Sequence, residues 1–218
     1  MSVLEAAHQK VHGASDKYLH YYDAYEFHFN SLKNAEITLL EIGVQNGGGL
    51  WTWRKYFANS RVFGLDTNLE CKKHEGDRVR VFIGDQRDET LLRAVNEEAG
   101  GFDIIIDDGG HTMEQQLKSF ETLFPLLREN GIYVIEDLHT SYWPKFGGCL
   151  GGKGTFVEFL KTLIDKLHWW ALRSPRAEQF QARSETDYLE RNIRSVHFHD
   201  SLCFIYKGVH DQPKRMRL

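Results

Sequence analysis

Two predicted strands each end in a pair of acidic residues, at Asp107-Asp108 and at Glu136-Asp137. A histidine, His111, follows the first pair by three residues. Carboxylate oxygens are the ligands that Mg²⁺ prefers in proteins, and an imidazole with a pKa near ~6.5 suits proton transfer at neutral pH. Converging carboxylates repel one another unless a cation lies between them. The residues Asp108, Glu136 and Asp137 therefore predict a hard, all-oxygen metal site, although strand-end acids also cap helices and pair with lysine or arginine.

The elements that would position these residues alternate between strands and helices. Apolar runs predict buried strands at 37–43, 61–66, 78–85, 102–108 and 131–137, with amphipathic helical patterns between them. The last segment predicts two strands joined by a tight turn at Asp200-Ser201. This order predicts an α/β, Rossmann-like fold with a seven-stranded, mainly parallel sheet, helices on both faces and a C-terminal antiparallel hairpin. We expect one domain over 1–218, with a helical cap segment at 1–36 and a catalytic core at 37–218.

A cofactor site is predicted at the carboxyl ends of the first three strands, where ligands of such sheets bind. The candidates are Glu41 at the end of the first strand with Gly43 and Gly47 in the turn to the next helix, Asp66 at the end of the second strand, and Asp85 and Gln86 at the end of the third. Asp66 is placed to accept hydrogen bonds from ribose hydroxyls, and the third strand end is placed to hold adenine. The glycine turn lacks the GxGxxG pattern of a pyrophosphate cradle. A ribose and an adenine without a phosphate site indicate S-adenosylmethionine, although glycine turns and strand-end acids also occur for structural reasons alone.

Composition restricts the classes of partner. The 218 residues are 41% hydrophobic and carry a net charge of −4, which favours neither nucleic acid nor an anionic membrane surface. The three cysteines are widely spaced, the N-terminal residues lack the apolar core of a signal peptide, and there is no apolar run of membrane-spanning length. These features predict a cytoplasmic protein.

Several motifs resemble one family in the same order along the chain. They include "LEIGV" (40–44), "GDQ" (84–86), "IDDGGH" (106–111), "GIYVIEDLHTSYWPKFGG" (131–148) and "VHFHDSLCFIYKG" (196–208). The sequence resembles class I S-adenosylmethionine-dependent methyltransferases, and among them the Mg²⁺-dependent sugar O-methyltransferases of macrolide and tetracenomycin biosynthesis. The resemblance implies a natural-product acceptor that carries a hydroxyl, most simply on a sugar, and it leaves the chain a candidate for homo-oligomerisation.

The resemblance also implies roles for individual residues. His111 corresponds to the catalytic base, and Asp108, Glu136 and Asp137 correspond to the metal ligands. Asp107, at the same strand end, is assigned either to orienting its neighbours or to the cofactor. We expect the loop after the second acid pair to line the acceptor pocket through His139, Thr140, Tyr142 and Trp143, although an aromatic loop can equally be a simple hydrophobic lid. Two other functions stay open from the residues: a dinucleotide-dependent (NAD-type) oxidoreductase and a cofactor-binding protein without catalysis.

Overall fold

A single seven-stranded sheet organises the chain in the computed structural model, in which residues 4, 17–172 and 186–216 are described. The strands are β1 (Thr38–Ile42), β2 (Arg61–Asp66), β3 (Val79–Ile83), β4 (Ile104–Asp107), β5 (Ile132–Ile135), β6 (Ile193–His199) and β7 (Leu202–Lys207). Their order across the sheet is β3-β2-β1-β4-β5-β7-β6. The first five strands are parallel, and β7 is antiparallel to both β5 and β6. The predicted sheet with its antiparallel C-terminal hairpin is confirmed.

Helices cover both faces of this sheet. They are α1 (Leu19–Phe29), α2 (Gly48–Tyr56), α3 (Glu89–Ala99), α4 (Met113–Leu123), α5 (Phe156–Leu167), α6 (Trp169–Leu172) and α7 (Tyr188–Asn192). All five residues of β1 are buried, and its alternate side chains enter different cores: Leu39 packs with residues of α1 and α2, whereas Leu40 packs with residues of α3, α4 and α5. The continuous apolar run of β1 is thus explained by burial on both faces.

Two sequence predictions differ from the structure in detail. The segment between the fourth and fifth predicted strands, "MEQQLKSFETLFPLLREN" (113–130), predicts one continuous helix. The observed helix ends at Leu123, because Pro125 has no backbone N–H with which to continue the helical hydrogen bonds. The sequence offers Ser15 or Asp16 as the cap of the first helix, and both lie outside the described residues. The described helix α1 follows Tyr18, whose side chain makes no capping hydrogen bond. None of the described helices combines the length and apolar character that a membrane-spanning segment needs.

Candidate active site

The two acid pairs meet because their strands are neighbours in the sheet. In the parallel register of β4 and β5, Asp107 lies opposite Ile135, so the residues that follow each strand leave the sheet side by side. Asp108, His111 and Asp137 each offer a ligand atom, and these atoms lie within 4.8 Å of one another. The Nε2 atom of His111 is 3.5 Å from Asp137 Oδ2 and 3.9 Å from Asp108 Oδ1. The structure thus brings the predicted base to the predicted metal ligands.

Unusual backbone conformations hold two of these residues in place. His111 and Asp137 both have a φ of 56°, in the left-handed region that side chains other than glycine rarely adopt. The hydroxyl of Thr140 donates to the backbone oxygens of Asp137, at 2.8 Å, and of His111, at 3.1 Å. Thr140, which was predicted to line the acceptor pocket, is buried and ties the two loops to each other. Strained backbone of this kind is concentrated at functional sites.

Helix α1 supplies polar groups to which the sequence analysis gave no role. Lys17, just before the helix, places its ammonium 2.7 Å from Asp108 Oδ2 and 2.5 Å from Glu136 Oε1. The hydroxyl of Tyr25 donates to Glu136 at 2.5 Å, and the hydroxyl of Tyr21 donates to Asp137 at 2.8 Å. These three residues recur every four positions, which puts them on one side of a helix. The sequence contains this four-residue spacing, but the spacing does not identify which groups the ammonium and the phenols contact.

The acids form a buried and strongly coupled electrostatic group. Burial raises the pKa of Asp108 and of Glu136 above the ordinary carboxyl range, repulsion between acids adds to the rise, and Lys17 opposes it. Burial alone would lower the pKa of Lys17, but the carboxylates of Asp108, Glu136 and Glu41 together raise it well above its ordinary value. Lys17 is therefore an ammonium ion in this cluster. Because Glu136 Oε1 faces Lys17 and Tyr25, its role as a metal ligand stays a prediction.

Burial lowers the pKa of His111, and the nearby carboxylates of Asp137 and Glu136 only partly oppose this effect. The imidazole is therefore neutral at neutral pH and able to accept a proton.

Two adjoining cavities share Gly43, Gln45 and Asp108. One, of about 180 Å³, is lined by Lys17, Glu41, His111, Asp137 and the start of α2. The other, of about 170 Å³, is lined by Leu65, Asp66, Gly84, Gln86, Gly109 and neighbouring residues. The predicted cofactor residues Gly43, Asp66 and Gln86 thus line a cavity that continues into the acid cluster.

The glycines of the first loop are required by close packing. Gly43 has a φ of 93°, and a Cβ atom there would lie 1.9 Å from the backbone oxygen of Asp108. Gly47 has a φ of 77° and precedes α2, where a Cβ atom would lie 2.4 Å from His74 Nδ1. Only glycine combines this conformation with this approach. The contact at Gly43 presses the loop after β1 against the loop after β4.

The acids of the first two strands shape the same region. Asp66 Oδ2 accepts from the backbone N–H groups of Val44 and Gln45 at 2.9 and 3.0 Å. Although burial alone would raise its pKa, these backbone donors and that of Asn68 hold the pKa of Asp66 below its usual value. Glu41 accepts from the indole N–H of Trp53 at 3.0 Å, and burial raises the pKa of Glu41 to about 8.

The remaining cofactor candidates divide between the interior and the surface. The amide of Gln86 donates to Asp107 at 3.0 Å and to Ser119 at 2.8 Å, and its oxygen accepts from the N–H of Gly110 at 2.8 Å. Gln86 thereby fixes the loop that leads to His111. Asp107 is fully buried, and burial raises its pKa to about 7. Asp85 instead pairs with Arg87 at 2.6 Å and is not among the residues that line the two cavities.

The predicted acceptor residues other than Thr140 form an aromatic surface beside the acids. The rings of His139 and Trp143 are 4.5 Å apart, and His139 Nδ1 lies 2.5 Å from the hydroxyl oxygen of Ser201 in the β6–β7 turn. Tyr142 and Trp143 are 45% and 49% exposed, which is high for large aromatic side chains. None of the three is among the residues that line the two cavities, but exposed rings of this kind suit contact with a ligand that has apolar faces.

The strand order and the position of the cavities are those of the Rossmann-like methyltransferase fold. A family model described as a methyltransferase domain matches residues 16–138. The chain belongs to this family.

The curated relatives are sugar O-methyltransferases. Over 205 residues, the chain is 38% identical to the 8-demethyl-8-alpha-L-rhamnosyl tetracenomycin-C 2'-O-methyltransferase of Streptomyces olivaceus, covering 90% of this chain and 52% of the relative. It is 36% identical to the mycinamicin VI 2''-O-methyltransferase of Micromonospora griseorubida, covering 89% and 50%. The chain spans about half the length of the curated relatives it matches.

Solved structures agree with this grouping. The MycE methyltransferase from the mycinamycin biosynthetic pathway, in complex with Mg and SAH, superposes with a TM-score of 0.84 at 33% identity, covering 96% of this chain and 54% of that one. A second MycE complex, with Mg, SAH and mycinamycin VI, gives a TM-score of 0.82 at 33% identity, covering 96% and 53%.

Proposed function

We propose that this chain is an S-adenosylmethionine- and Mg²⁺-dependent O-methyltransferase that acts on a sugar hydroxyl of a glycosylated natural product. The observation that carries the proposal is the convergence of Asp108, His111 and Asp137 beside a cavity that runs along the glycine loop after β1. The relatives and the MycE complexes supply the donor, the metal and the class of acceptor. We assign the methyltransferase domain to 1–218, with 1–36 as its cap.

The donor set fits a magnesium ion. Mg²⁺ binds carboxylate oxygens and keeps open positions for water or substrate oxygens. Asp108 Oδ1 and Asp137 Oδ2 both face His111, and the group is partly exposed to the cavity. Asp108 and Asp137 would hold the ion, with Glu136 as the third predicted ligand, and the bound ion would supply Lewis acidity toward the acceptor hydroxyl.

The chain's own residues would position and deprotonate the acceptor. As the hydroxyl oxygen forms its bond to the methyl carbon of the donor, the carbon–sulfur bond breaks, and the hydroxyl proton passes to His111 Nε2. Asp137, 3.5 Å from that nitrogen, stabilises the imidazolium that results. Gly43, Asp66 and Gln86 line the space for the donor, while Glu41, Gly47, Asp85 and Asp107 remain cofactor candidates. His139, Tyr142 and Trp143 would contact the acceptor.

A methyl-transfer assay tests the proposal directly. The purified chain is mixed with S-adenosylmethionine and a rhamnosylated polyketide, and release of S-adenosylhomocysteine is measured before and after chelation and again after addition of Mg²⁺. We expect turnover that chelation removes and Mg²⁺ restores, and no turnover with the matched aglycone. The variant Asp137→Asn should need far more Mg²⁺. The control variant Asp77→Asn, at an exposed carboxylate that pairs with Arg54, should behave as the parent.

Each part of the proposal has its own contradicting result. Full turnover after chelation would exclude the metal role, and equal turnover of the aglycone would exclude a sugar hydroxyl as acceptor. Binding of NAD with no binding of S-adenosylmethionine would favour the oxidoreductase instead.

A further inference from the structure

Lys17 is the positive charge at the centre of the acid cluster. Its side chain is only 5% exposed, and its Nζ atom lies 2.5 Å from Glu136, 2.7 Å from Asp108 and 3.9 Å from Glu41. An ammonium group carries three donors and no acceptor, and these contacts surround it with carboxylates. A charge buried in this way is tolerated only when opposite charges compensate it.

The ammonium divides the cluster into two halves that share Asp108. One oxygen of this carboxylate, Oδ2, binds Lys17, while the other, Oδ1, faces His111 and the side on which Asp137 lies. Glu136 Oε1 belongs to the lysine half, where it binds both Lys17 and Tyr25. The open half therefore offers Asp108 Oδ1 and Asp137 Oδ2 to a divalent ion.

The number of charges in the cluster explains why Lys17 affects both the cation-free fold and the binding of a cation. The four carboxylates of Glu41, Asp108, Glu136 and Asp137 exceed this one ammonium by three negative charges when all are ionised. Without Lys17 the excess would be larger, and the folded chain would carry more repulsion before any ion is bound. With Lys17 present, a divalent ion that binds Asp108 meets a fixed positive charge on the same carboxylate, which weakens its binding.

We propose that Lys17 is a charge-balancing residue that sets the affinity of this site for a divalent cation. It stabilises the cation-free fold and holds the affinity for Mg²⁺ below the value that the carboxylates alone would give. It acts through Asp108 and Glu136 and touches neither acceptor nor donor in this role. The inference rests on the proposed function only in the choice of Mg²⁺ as the ion.

Direct Mg²⁺ titration of three variants tests the proposal in the absence of donor and acceptor. Lys17→Gln removes the charge and keeps a hydrogen-bonding group, Lys17→Arg keeps the charge, and Lys33→Gln is the matched control, since Lys33 pairs with Glu26 on another side of α1. By calorimetry we expect the dissociation constant for Mg²⁺ to be at least about tenfold lower for Lys17→Gln than for the parent. Lys17→Arg and Lys33→Gln should stay within about twofold of it.

Thermal unfolding supplies the second measurement. In chelator, Lys17→Gln should unfold at a lower temperature than the parent, and saturating Mg²⁺ should recover most of the difference, because the ion then replaces the missing charge. A purely structural role would lower stability equally with and without Mg²⁺.

The contradicting outcomes separate this inference from the proposed function. Parent and Lys17→Gln proteins that bind Mg²⁺ equally well, or a Lys17→Gln protein that binds it less well, would overturn the role of Lys17 and leave the metal site standing. The same conclusion follows if Lys17→Gln does not fold even in saturating Mg²⁺ while Lys17→Arg does. If neither parent nor variant binds Mg²⁺, the inference and the metal dependence both fail, whereas binding by the variant alone supports the inference.

Discussion

The two ends of helix α1 bury polar side chains in contrasting ways. At its N-terminal end, Lys17, Tyr21 and Tyr25 contact carboxylates that stand beside an open cavity. At its C-terminal end, His28 stacks on Phe204 with ring centroids 3.9 Å apart, and the rings of His197, His199 and Tyr206 surround it. The polar side chains at both ends make hydrogen bonds. Burial of polar groups therefore does not by itself mark a functional site.

The difference lies in charge and in access. The His28 ring has a partner on each nitrogen, Tyr206 OH at 2.8 Å from Nδ1 and His199 Nε2 at 2.9 Å from Nε2. Burial, together with His197 and His199, lowers the pKa of His28 to about 4, so the ring is neutral at neutral pH. The acid cluster instead places four carboxyl groups and one ammonium beside a cavity. Charged groups with room for a ligand are what distinguish the candidate site.

The largest effect is expected when one histidine in each region is substituted. His111→Gln keeps a polar side chain but removes the base, and we expect kcat to fall by roughly 10²- to 10⁴-fold, with binding of S-adenosylhomocysteine unchanged. His199→Gln, among the rings around His28, should leave kcat near that of the parent. Steady-state kinetics and calorimetry check both variants, and a comparable loss of kcat in the two would remove the functional distinction between the regions.

A smaller effect is expected when one phenol is removed from each region. Tyr25→Phe deletes a hydrogen bond to the buried Glu136 carboxyl, and we expect the free energy of unfolding to fall by about 1.5–3 kcal/mol. Tyr206→Phe deletes a bond to the neutral His28 ring and should cost about 0.5–1.5 kcal/mol. Urea unfolding at neutral pH measures both values. Equal losses would show that the acid cluster is not electrostatically special.

The smallest effect is a pH dependence of stability that belongs to the histidine group. His28 titrates at about 4 in the folded chain against an ordinary value of 6.5, so the unfolded chain binds more protons between these values. The free energy of unfolding therefore falls as the pH is lowered from 6.5 toward 4, and the loss levels off below 4. We expect the free energy of unfolding to be lower by about 1 kcal/mol at pH 5 than at pH 7.

The variant His28→Gln is the control for this dependence. Its unfolding curve should be flatter than that of the parent over the same pH range, with the remaining slope due to other groups such as His199, whose pKa burial also lowers. Identical slopes in parent and variant would show that His28 is not the group responsible.

The sequence predicted those parts of the molecule that depend on local pattern. The strands and the hairpin follow from apolar runs and turn residues. Since parallel strands place their carboxyl ends at one edge of a sheet, the sequence also predicts that Asp108, His111 and Asp137 lie together there. An interior strand such as β1 can be predicted because its continuous apolar run is typical of a strand that is buried on both faces of a sheet.

The contacts made across the sheet could not be predicted in this way. Nothing local to Lys17 or Tyr25 identifies Glu136, more than a hundred positions away, as their partner. Gln86 illustrates the opposite problem. A polar residue at a strand end suggests a ligand-binding role, whereas the side-chain amide of Gln86 makes hydrogen bonds with Asp107, Ser119 and Gly110. Partners of buried polar groups are set by tertiary packing, which a one-dimensional pattern does not encode.

The close contact between Gly43 and the backbone oxygen of Asp108 makes the two loops mechanically dependent on each other. A molecule that displaces the first loop on arrival must also displace the residue that would hold the cation. In the proposed function, binding of the donor and binding of the cation are therefore coupled, because the ligand that binds first changes the site that the second ligand meets. Reciprocity requires this coupling to be equal in both directions, so the absence of a side chain at Gly43 bears on how strongly the two ligands affect each other's binding and not on the order in which they bind.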